Sequence, residues 1–494
     1  MTPGRKKRSR RHQPAHDTPD RQAREIERLR DENERLRKLL DEQAKRIADL
    51  ERRLALKQQN STTTSKPPSS DGLAGQPRDR GRRRKSRRKA GGQPGHPGHH
   101  RELVPVERVD ALVDLVPDTC RHCAHRLRAR HGAGAPRRHQ VTELPPIAAH
   151  ITEYRCHRRQ CPACGTTTLA PVPDEWASQV GPQLTALIAY LPVGCRMPRL
   201  VVQRFLEGAL PIPIRLGSTQ KAWEETSAAV AAPYAELEAA LRHEAVLNVD
   251  ETGHRTNGDK RWLWAFVART FVMYRIAASR GSDVLTTILG QTFAGILGSD
   301  RLPTYLKYVV GQRPFCWAHV TRNVLSALDL ATTPAAKRCC REALALDRRR
   351  LWRRFRSDPG ARGSPLTRAE LIEKVLPIEK RLFALGERHL DAANADVRNL
   401  ALAFFVHNQH FFTFVHEEGV APTNHAAERA LRTAVQWRKI MFGTRSEEGE
   451  LAVARLLTVT GTCQLQQLNV LAYLTAAITC YRRHQAVVSL LPRG

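Results

Sequence analysis

Negative charge is what this sequence has too little of. Its 494 residues hold 49 Asp and Glu against 80 Lys and Arg, a formal net charge of +31. Such an imbalance points to a polyanionic partner, either nucleic acid or an anionic membrane surface. Long apolar runs are missing as well. No stretch reaches ~18 consecutive apolar residues, which excludes a transmembrane helix. The opening Met1-Thr2-Pro3-Gly4-Arg5-Lys6-Lys7-Arg8 has no apolar segment behind its charges, so no secretory signal is expected. Aromatic residues make up 6% and hydrophobic residues 41%, enough for real cores but with part of the chain left solvated. The cysteines number eleven, an odd count, and no export signal accompanies them. A disulfide framework is therefore not expected, and paired cysteines read first as metal ligands.

The length predicts three to five units at ~100–200 residues each. Residues 1–100 carry 28 Lys and Arg against 13 Asp and Glu, and residues 1–18 form a basic tail expected to be disordered. Thr18 and Pro19 suit the start of a helix. From there a heptad runs over 19–57, with Ile26, Asn33, Leu40, Ile47 and Leu54 at a and Leu29, Leu36, Gln43 and Leu50 at d. That pattern predicts a coiled coil and self-association; Asn33 pairs well with its own copy across a parallel dimer axis. A helix packed on its own chain is the simpler alternative.

Residues 58–100 read as a Gly/Pro-rich linker. Within it, Arg78 to Lys89 holds nine basic residues in twelve. Arg82, Arg83, Arg84, Lys85, Arg87, Arg88 and Lys89 are suited to following a phosphate backbone by charge alone. Membrane binding is disfavoured, because no amphipathic helix with aromatics accompanies the run.

Cysteines appear in 101–175. Cys120-Arg121-His122-Cys123 and Cys161-Pro162-Ala163-Cys164 are two C-x-x-C knuckles with 37 residues between them. Four thiolates make the closed tetrahedral shell of structural zinc, so 101–175 is expected to be a zinc-binding domain with a β-hairpin inserted between the knuckles; His122, His125, Cys156 and His157 compete as ligands, and an iron–sulfur cluster or free thiols are the alternatives. Residues 176–243 read as helices, with stripes Leu184, Leu187, Ile188, Leu191 and Val201, Val202, Phe205, Leu206, and a third segment from Ala228 to Leu241. They are a candidate DNA-binding region, against the plainer reading of helical core.

From Glu244 the pattern turns to strand: 245–249, 262–267 and 271–276, then a helix over 282–289, then strands at 294–297 and 314–317. Residues 320–420 read as mainly helical. A capped helix follows at about 423–436, and two apolar helices, near 447–461 and 466–482, finish the chain. Asp250 stands at the end of the first of these strands, Asp300 just after the fourth, and Glu428 on the capped helix. Converging carboxylates are what phosphodiester chemistry with two divalent metals requires, and hard Mg²⁺ takes oxygen ligands. Spacing alone leaves open that Asp250 caps a turn and that Glu428 pairs with Arg432 one turn on.

The ordered set of motifs resembles the insertion-sequence-66 family of DDE transposases along almost the whole chain. It comprises the N-terminal heptads, Ser65-Lys66-Pro67-Pro68-Ser69-Ser70-Asp71, Gly91-Gly92-Gln93-Pro94-Gly95-His96, the knuckles and Val249-Asp250-Glu251-Thr252. It continues with Ser279-Arg280-Gly281, Cys316-Trp317-Ala318-His319, Thr423-Asn424-His425-Ala426-Ala427-Glu428-Arg429, Arg438-Lys439 and Gly443. The resemblance implies a multidomain α+β chain. Its RNase H-like mixed α/β catalytic domain would span 244–445, with a helical insertion over about 325–420, and residues 446–494 would form C-terminal helices. It implies Asp250, Asp300 and Glu428 as the catalytic triad holding Mg²⁺ or Mn²⁺, and DNA cleavage with strand transfer at the ends of a bacterial element. Arg301 and His425 depart from the family's commoner Gly and Asn, and Asp283 is the rival second acid. Arg280, His319, Arg429, Arg438 and Lys439 are candidate DNA contacts. Trp262, Trp264 and Trp317 read as core. A cytoplasmic homo-oligomer on double-stranded DNA, with accessory proteins of the same element as possible partners, completes the expectation.

Overall fold

The computed structural model describes residues 19–59, 102–132, 134–145, 147–346 and 367–492. The basic run Arg82–Lys89 and the stretch 353–366 lie outside the described residues. The chain divides into two compact units, one of 77–155 with 203–214 and the other holding the remainder. No described helix is long and apolar enough to cross a membrane.

Helix α1 (Pro19–Gln58) is one continuous helix of 40 residues. Ile26, Leu29, Leu36, Leu40, Ile47, Leu50 and Leu54 are all exposed along it. Its carboxyl end meets the rest of its unit, through Arg52 on Asp396 at 3.3 Å and Gln59 Nε2 donating to Ser326 Oγ at 2.8 Å.

The smaller unit contains the first knuckle. Its described residues hold no strand, only short 3₁₀ turns at Val106–Arg108 and Ala129–His131 and part of the helix Arg199–Ala209. A two-stranded hairpin, β1 (Arg158–Gln160) with β2 (Thr167–Leu169), belongs to the larger unit. The hairpin expected between the knuckles is therefore corrected: its turn is the second knuckle itself.

The larger unit is built on a five-stranded mixed sheet of order β5-β4-β3-β6-β7. The strands are β3 (Val246–Thr256), β4 (Asp259–Val267), β5 (Val272–Ala277), β6 (Thr292–Gly298) and β7 (Val309–Gln312). The first three pair antiparallel; β6 runs parallel to β3, and β7 parallel to β6. Two expectations change here. The first strand does not end at Asp250 but continues to Thr256 as a hairpin arm. The fifth strand lies at 309–312, not 314–317: Phe315 makes only a bridge to Ser299, and Trp317 opens a helix.

The free edge at β5 is covered by the helix Glu447–Leu465. Thr458 Oγ1 accepts from Tyr274 N at 2.9 Å, and Thr462 Oγ1 accepts from Val272 N at 3.2 Å. Hydroxyls thus satisfy edge groups that would otherwise recruit another strand. Helices Pro182–Gly194, Leu216–Ala229 and Ala231–Ala240 share one apolar cluster with the sheet and with the helices Glu447–Leu465 and Val470–Arg482. The single helical segment expected from Ala228 to Leu241 is two helices broken at Val230, whose φ and ψ of −95° and 13° leave the helical region.

Between β7 and the Glu428 helix (His425–Met441) lie five described helices, from Trp317–Leu330 to Asn408–His416. They bury a second apolar cluster around Trp317, Phe404, Phe411 and Phe412. The insertion therefore begins at Trp317, slightly earlier than the pattern suggested.

Candidate functional site

Strand alternation sorts the first acidic pair. Neighbouring residues of a strand point to opposite faces. Leu247, Val249 and Glu251 are buried on one face, where Glu251 lies opposite Trp264 of β4. Asp250 points to the other face. Four residues on, His254 stacks on Trp437 of the Glu428 helix with centroids 6.2 Å apart. The helix carrying Glu428 therefore covers the Asp250 face.

Register brings in the second acid. Asn248 of β3 stands beside Gly298 of the parallel strand β6. Asp250 lies two residues beyond that pair within β3, and Asp300 two residues beyond it, just past the end of β6. The end of β6 beside the longer β3 opens the kind of crevice found at strand ends of an α/β sheet. Asp300 is pinned by Leu302 N, which donates to its Oδ1 at 2.9 Å.

The third acid is clasped to the same strand. Asn424 Nδ2 donates to Val249 O at 2.8 Å, beside Asp250. Its backbone N–H meets Cys316 Sγ at 3.2 Å, and its carbonyl accepts from Glu428 N at 3.1 Å. The expected cap is corrected in one respect: Asn424 sits at the helix start, but its side chain reaches across to the strand instead of capping.

The electrostatics agree with this convergence. Asp250 is partly exposed, yet protein surrounds its carboxyl closely. Burial pushes it well above the usual aspartate range, and the charges of Glu251, Asp300 and Glu428 add to that; the Glu251 N–H bond acts the other way. Asp300 is also raised, mainly by burial and further by Glu251, against the pull of Leu302 N–H, Arg280 and Arg301. Asp283, the rival second acid, is exposed at the start of its helix and accepts from Ser279 Oγ at 2.8 Å. The charges that act most strongly on Asp250 are those of Glu251, Asp300 and Glu428. Oxygen donors crowded until they resist ionisation fit a hard divalent cation.

Glu251 has a separate role that the motif did not reveal. Its side chain is 1% exposed and accepts from Arg280 Nε at 2.7 Å and from Tyr305 OH. Arg280 also lies over the Trp262 ring, 4.6 Å from its centroid. Arg280, expected to contact DNA, is thus held by a buried partner, with its side chain 42% exposed. The signal was present: two carboxylates in sequence on a strand must face opposite ways.

Around Glu428, His319 Nδ1 stands 3.5 Å, Arg322 Nη2 3.4 Å and His425 Nε2 3.9 Å from its carboxylate oxygens. His319 lies on the helix Trp317–Leu330, not after a strand. Burial, with Arg322 and His425 nearby, takes His319 down to about 4, so its ring is neutral at neutral pH. Arg429 and Lys439 are exposed on the Glu428 helix. Arg438 is partly buried, with Nη1 close to Gly253. Burial and Arg438 together lower His254 to about 4. Trp264 and Trp317 are core, while Trp262 sits between Lys260 and Arg280. A separate cavity of about 770 Å³ opens past the carboxyl end of this helix, lined by Arg199, Trp223, Trp437, Arg445 and Arg455 among others. It lies away from the carboxylates.

The two knuckles fall in different units, and each shows the same turn. Cys120 N donates to His125 O and Cys120 O accepts from Ala124 N, both at 2.9 Å. Cys161 repeats this with Thr166 O and Gly165 N, also at 2.9 Å. The fifth residue is left-handed in both, Ala124 at φ 56° and Gly165 at φ 70°. Hydrogen bonds from the turn hold Cys120 below the usual thiol value, Cys123 and His122 contributing most; Thr166 does the same for Cys164.

Fold and site define the class: a mixed α/β protein with Asp250 on its sheet, Asp300 just past β6, and Glu428 on a helix joined to β3 through Asn424. The model of the Transposase IS66 family matches residues 177–452, more than half of the chain, and the chain belongs to that family. Residues 16–102 match a second model, described as a family of unknown function. A curated relative, "Uncharacterized protein y4qI" of Sinorhizobium fredii (strain NBRC 101917 / NGR234), is 25% identical over 243 residues. That match covers 44% of this chain, and the chain spans only 43% of the relative's length.

Proposed function

We propose that the chain is a DNA transposase that cleaves the 3′ ends of a bacterial insertion sequence and joins them to target DNA, with Asp250, Asp300 and Glu428 as its metal ligands. The observation that carries this reading is the equal offset of Asp250 and Asp300 beyond the paired Asn248 and Gly298 of adjacent parallel strands, with the start of the Glu428 helix clasped to β3 through Asn424. Strand order and the helical insertion support an RNase H-like catalytic domain. Magnesium or manganese, when bound, supplies charge neutralisation for the attacking and leaving oxygens of an in-line displacement. The chain's own contribution is to hold three carboxylates in one crevice. Arg429, Arg438 and Lys439 would take DNA phosphates, with His319 beside Glu428 as a neutral hydrogen-bonding group. The basic run Arg82–Lys89 would follow the backbone.

Each knuckle, Cys120–Cys123 and Cys161–Cys164, presents a lowered thiol on the same backbone turn, which supports each as a pair of zinc ligands. Residues 176–243 would add end recognition. Double-stranded DNA is the substrate, accessory proteins of the element are possible partners, and the setting is the bacterial cytoplasm.

The exposed stripe of α1 supports a parallel homo-oligomer. Burying such a seam against a second copy removes apolar area from water at ~25 cal/mol per Å². Leu40→Asp combined with Ile47→Asp is expected to reduce the assembly to monomer in sedimentation at micromolar concentration. An unchanged assembly would place the oligomer contact elsewhere.

The test of function is cleavage and joining of labelled DNA carrying the element's own ends. Products are expected with Mg²⁺ or Mn²⁺ and none with chelator. Cutting without joining would make the chain a nuclease. Binding without cutting, with accessory proteins supplied, would make it an end-binding protein only.

A further inference from the structure

Beside Glu428 lies a donor set of mixed chemistry. Cys316 Sγ, a His319 ring nitrogen and a Glu428 oxygen all lie within 4.8 Å of one another. Cys316 is 2% exposed. His319 Nδ1 is buried and has no hydrogen-bond partner. A buried polar atom left unpaired beside a carboxylate and a thiol calls for a ligand.

The spacing identifies its kind. Zinc bonds of ~2.0–2.2 Å to nitrogen and oxygen at a tetrahedral angle put those two atoms ~3.4 Å apart. His319 Nδ1 and Glu428 Oε1 are 3.5 Å apart. One edge of a tetrahedron is therefore already built. Magnesium does not take sulfur or imidazole readily, whereas zinc, cobalt and cadmium do. The helix start sets the spacing: Cys316 immediately precedes the helix Trp317–Leu330, and His319 lies three residues on, in its first turn.

We propose that Cys316, His319 and Glu428 form a site for a thiophilic divalent cation, Zn²⁺ in the first instance, separate from the hard-cation site of the three carboxylates. Binding releases the Cys316 thiol proton to solvent, and the thiolate, the His319 nitrogen and the Glu428 carboxylate fill three positions, leaving a fourth open. Arg322 opposes the cation, but its approach to Glu428 Oε1 at 3.4 Å is long for a charge-assisted bond. His425 Nε2 lies 3.9 Å from the other oxygen. The site shares Glu428 with the carboxylate cluster, so zinc there would draw Glu428 away from Asp250. The consequence is inhibition of cleavage by zinc. That consequence, unlike the binding itself, rests on the catalytic reading of Glu428.

The experiment uses the full-length protein and two readouts. Zinc content after dialysis, and Co²⁺ absorption in the thiolate charge-transfer region, are compared among wild type, Cys316→Ser, Cys316→Ala and His319→Gln. Wild type is expected to hold one more equivalent than each variant, with affinity for it at least ~10-fold higher. Circular dichroism identifies any variant that has not folded, and the two cysteine replacements differ in size so that one can stand for the other. Equal metal content and equal cobalt spectra in all folded proteins would overturn the site. In the second arm, micromolar Zn²⁺ is added to cleavage in excess Mg²⁺, and the inhibited-to-uninhibited ratio is taken within each protein. A ratio that falls several-fold in wild type and not in Cys316→Ser supports the shared carboxylate. Zinc bound in the first arm with no inhibition in the second keeps the site and overturns Glu428 as the group it sequesters.

Discussion

Asp250→Asn and Glu428→Gln are each expected to lower metal-dependent cleavage on the order of 10³-fold or more, and Asp250→Asn to do so while making the metal-free protein more stable at neutral pH. The first effect follows from losing one ligand of a site whose charge stabilisation is worth several kcal/mol in the transition state. The second follows from the crowding of carboxylates. Burial, together with Glu251, Asp300 and Glu428, holds the Asp250 carboxyl well above its ordinary value. In the unfolded chain it ionises near ~3.9. Between that value and the raised one, the folded state binds more protons than the unfolded state. Stability therefore falls as pH rises through this window. The stabilising contribution is complete below the unfolded value and gone above the folded one. Asp300, raised chiefly by burial, acts with the same sign.

Asparagine neither titrates nor repels. The metal-free variant should then lose part of the downward slope, while wild type regains stability when Mg²⁺ is added, by ligand binding to the folded state alone. Thermal melts from acid to neutral pH, in chelator and in Mg²⁺, read both. A pH slope in chelator that is the same in wild type and Asp250→Asn would show that these acids do not converge.

The sheet was legible where strands are long and apolar, and Trp262–Val267 is the clearest case. It was not legible at the fifth strand. Pro314–Trp317 and Val309–Gln312 are both short, and a four-residue apolar run does not declare its own structure. The insertion core settled it by taking Trp317, which donates Nε1–H to Phe411 O at 2.6 Å.

The carboxylates were legible as acids but not as neighbours. No sequence spacing relates Glu428 to Asp250; one asparagine side chain, diverted from capping, ties the start of the Glu428 helix to Val249 beside Asp250. Gly443, which the resemblance marked without a reason, acquires one. It lies at φ 99°, and a Cβ there would sit 2.2 Å from Arg255 O. Only glycine lets the chain pass so close to the β3 hairpin. The basic run was legible as charge alone, since charge without apolar partners specifies no packing.

Glu251→Ala is expected to destabilise the protein by about 2–4 kcal/mol, although this residue touches no expected ligand. Most of that comes from Tyr305, whose hydroxyl is fully buried and donates to Glu251. Burial first, and then Glu251, hold Tyr305 far above the ordinary phenol value, so it remains a donor at every working pH. Orphaning such a group costs ~1–3 kcal/mol. The Arg280 contribution is smaller, because its side chain is 42% exposed and water screens the pair. At ~2–4 °C per kcal/mol for a domain of this size, the melting temperature should drop by roughly 5–15 °C.

The cause can be isolated with Tyr305→Phe. On its own it leaves Glu251 with Arg280 and should cost about 1–2 kcal/mol. Added to Glu251→Ala, it removes the orphaned hydroxyl and should cost nothing further, or recover part of the loss, because replacing both partners of a buried bond can be nearly neutral. Two losses that simply add would mean that Glu251 and Tyr305 do not act together.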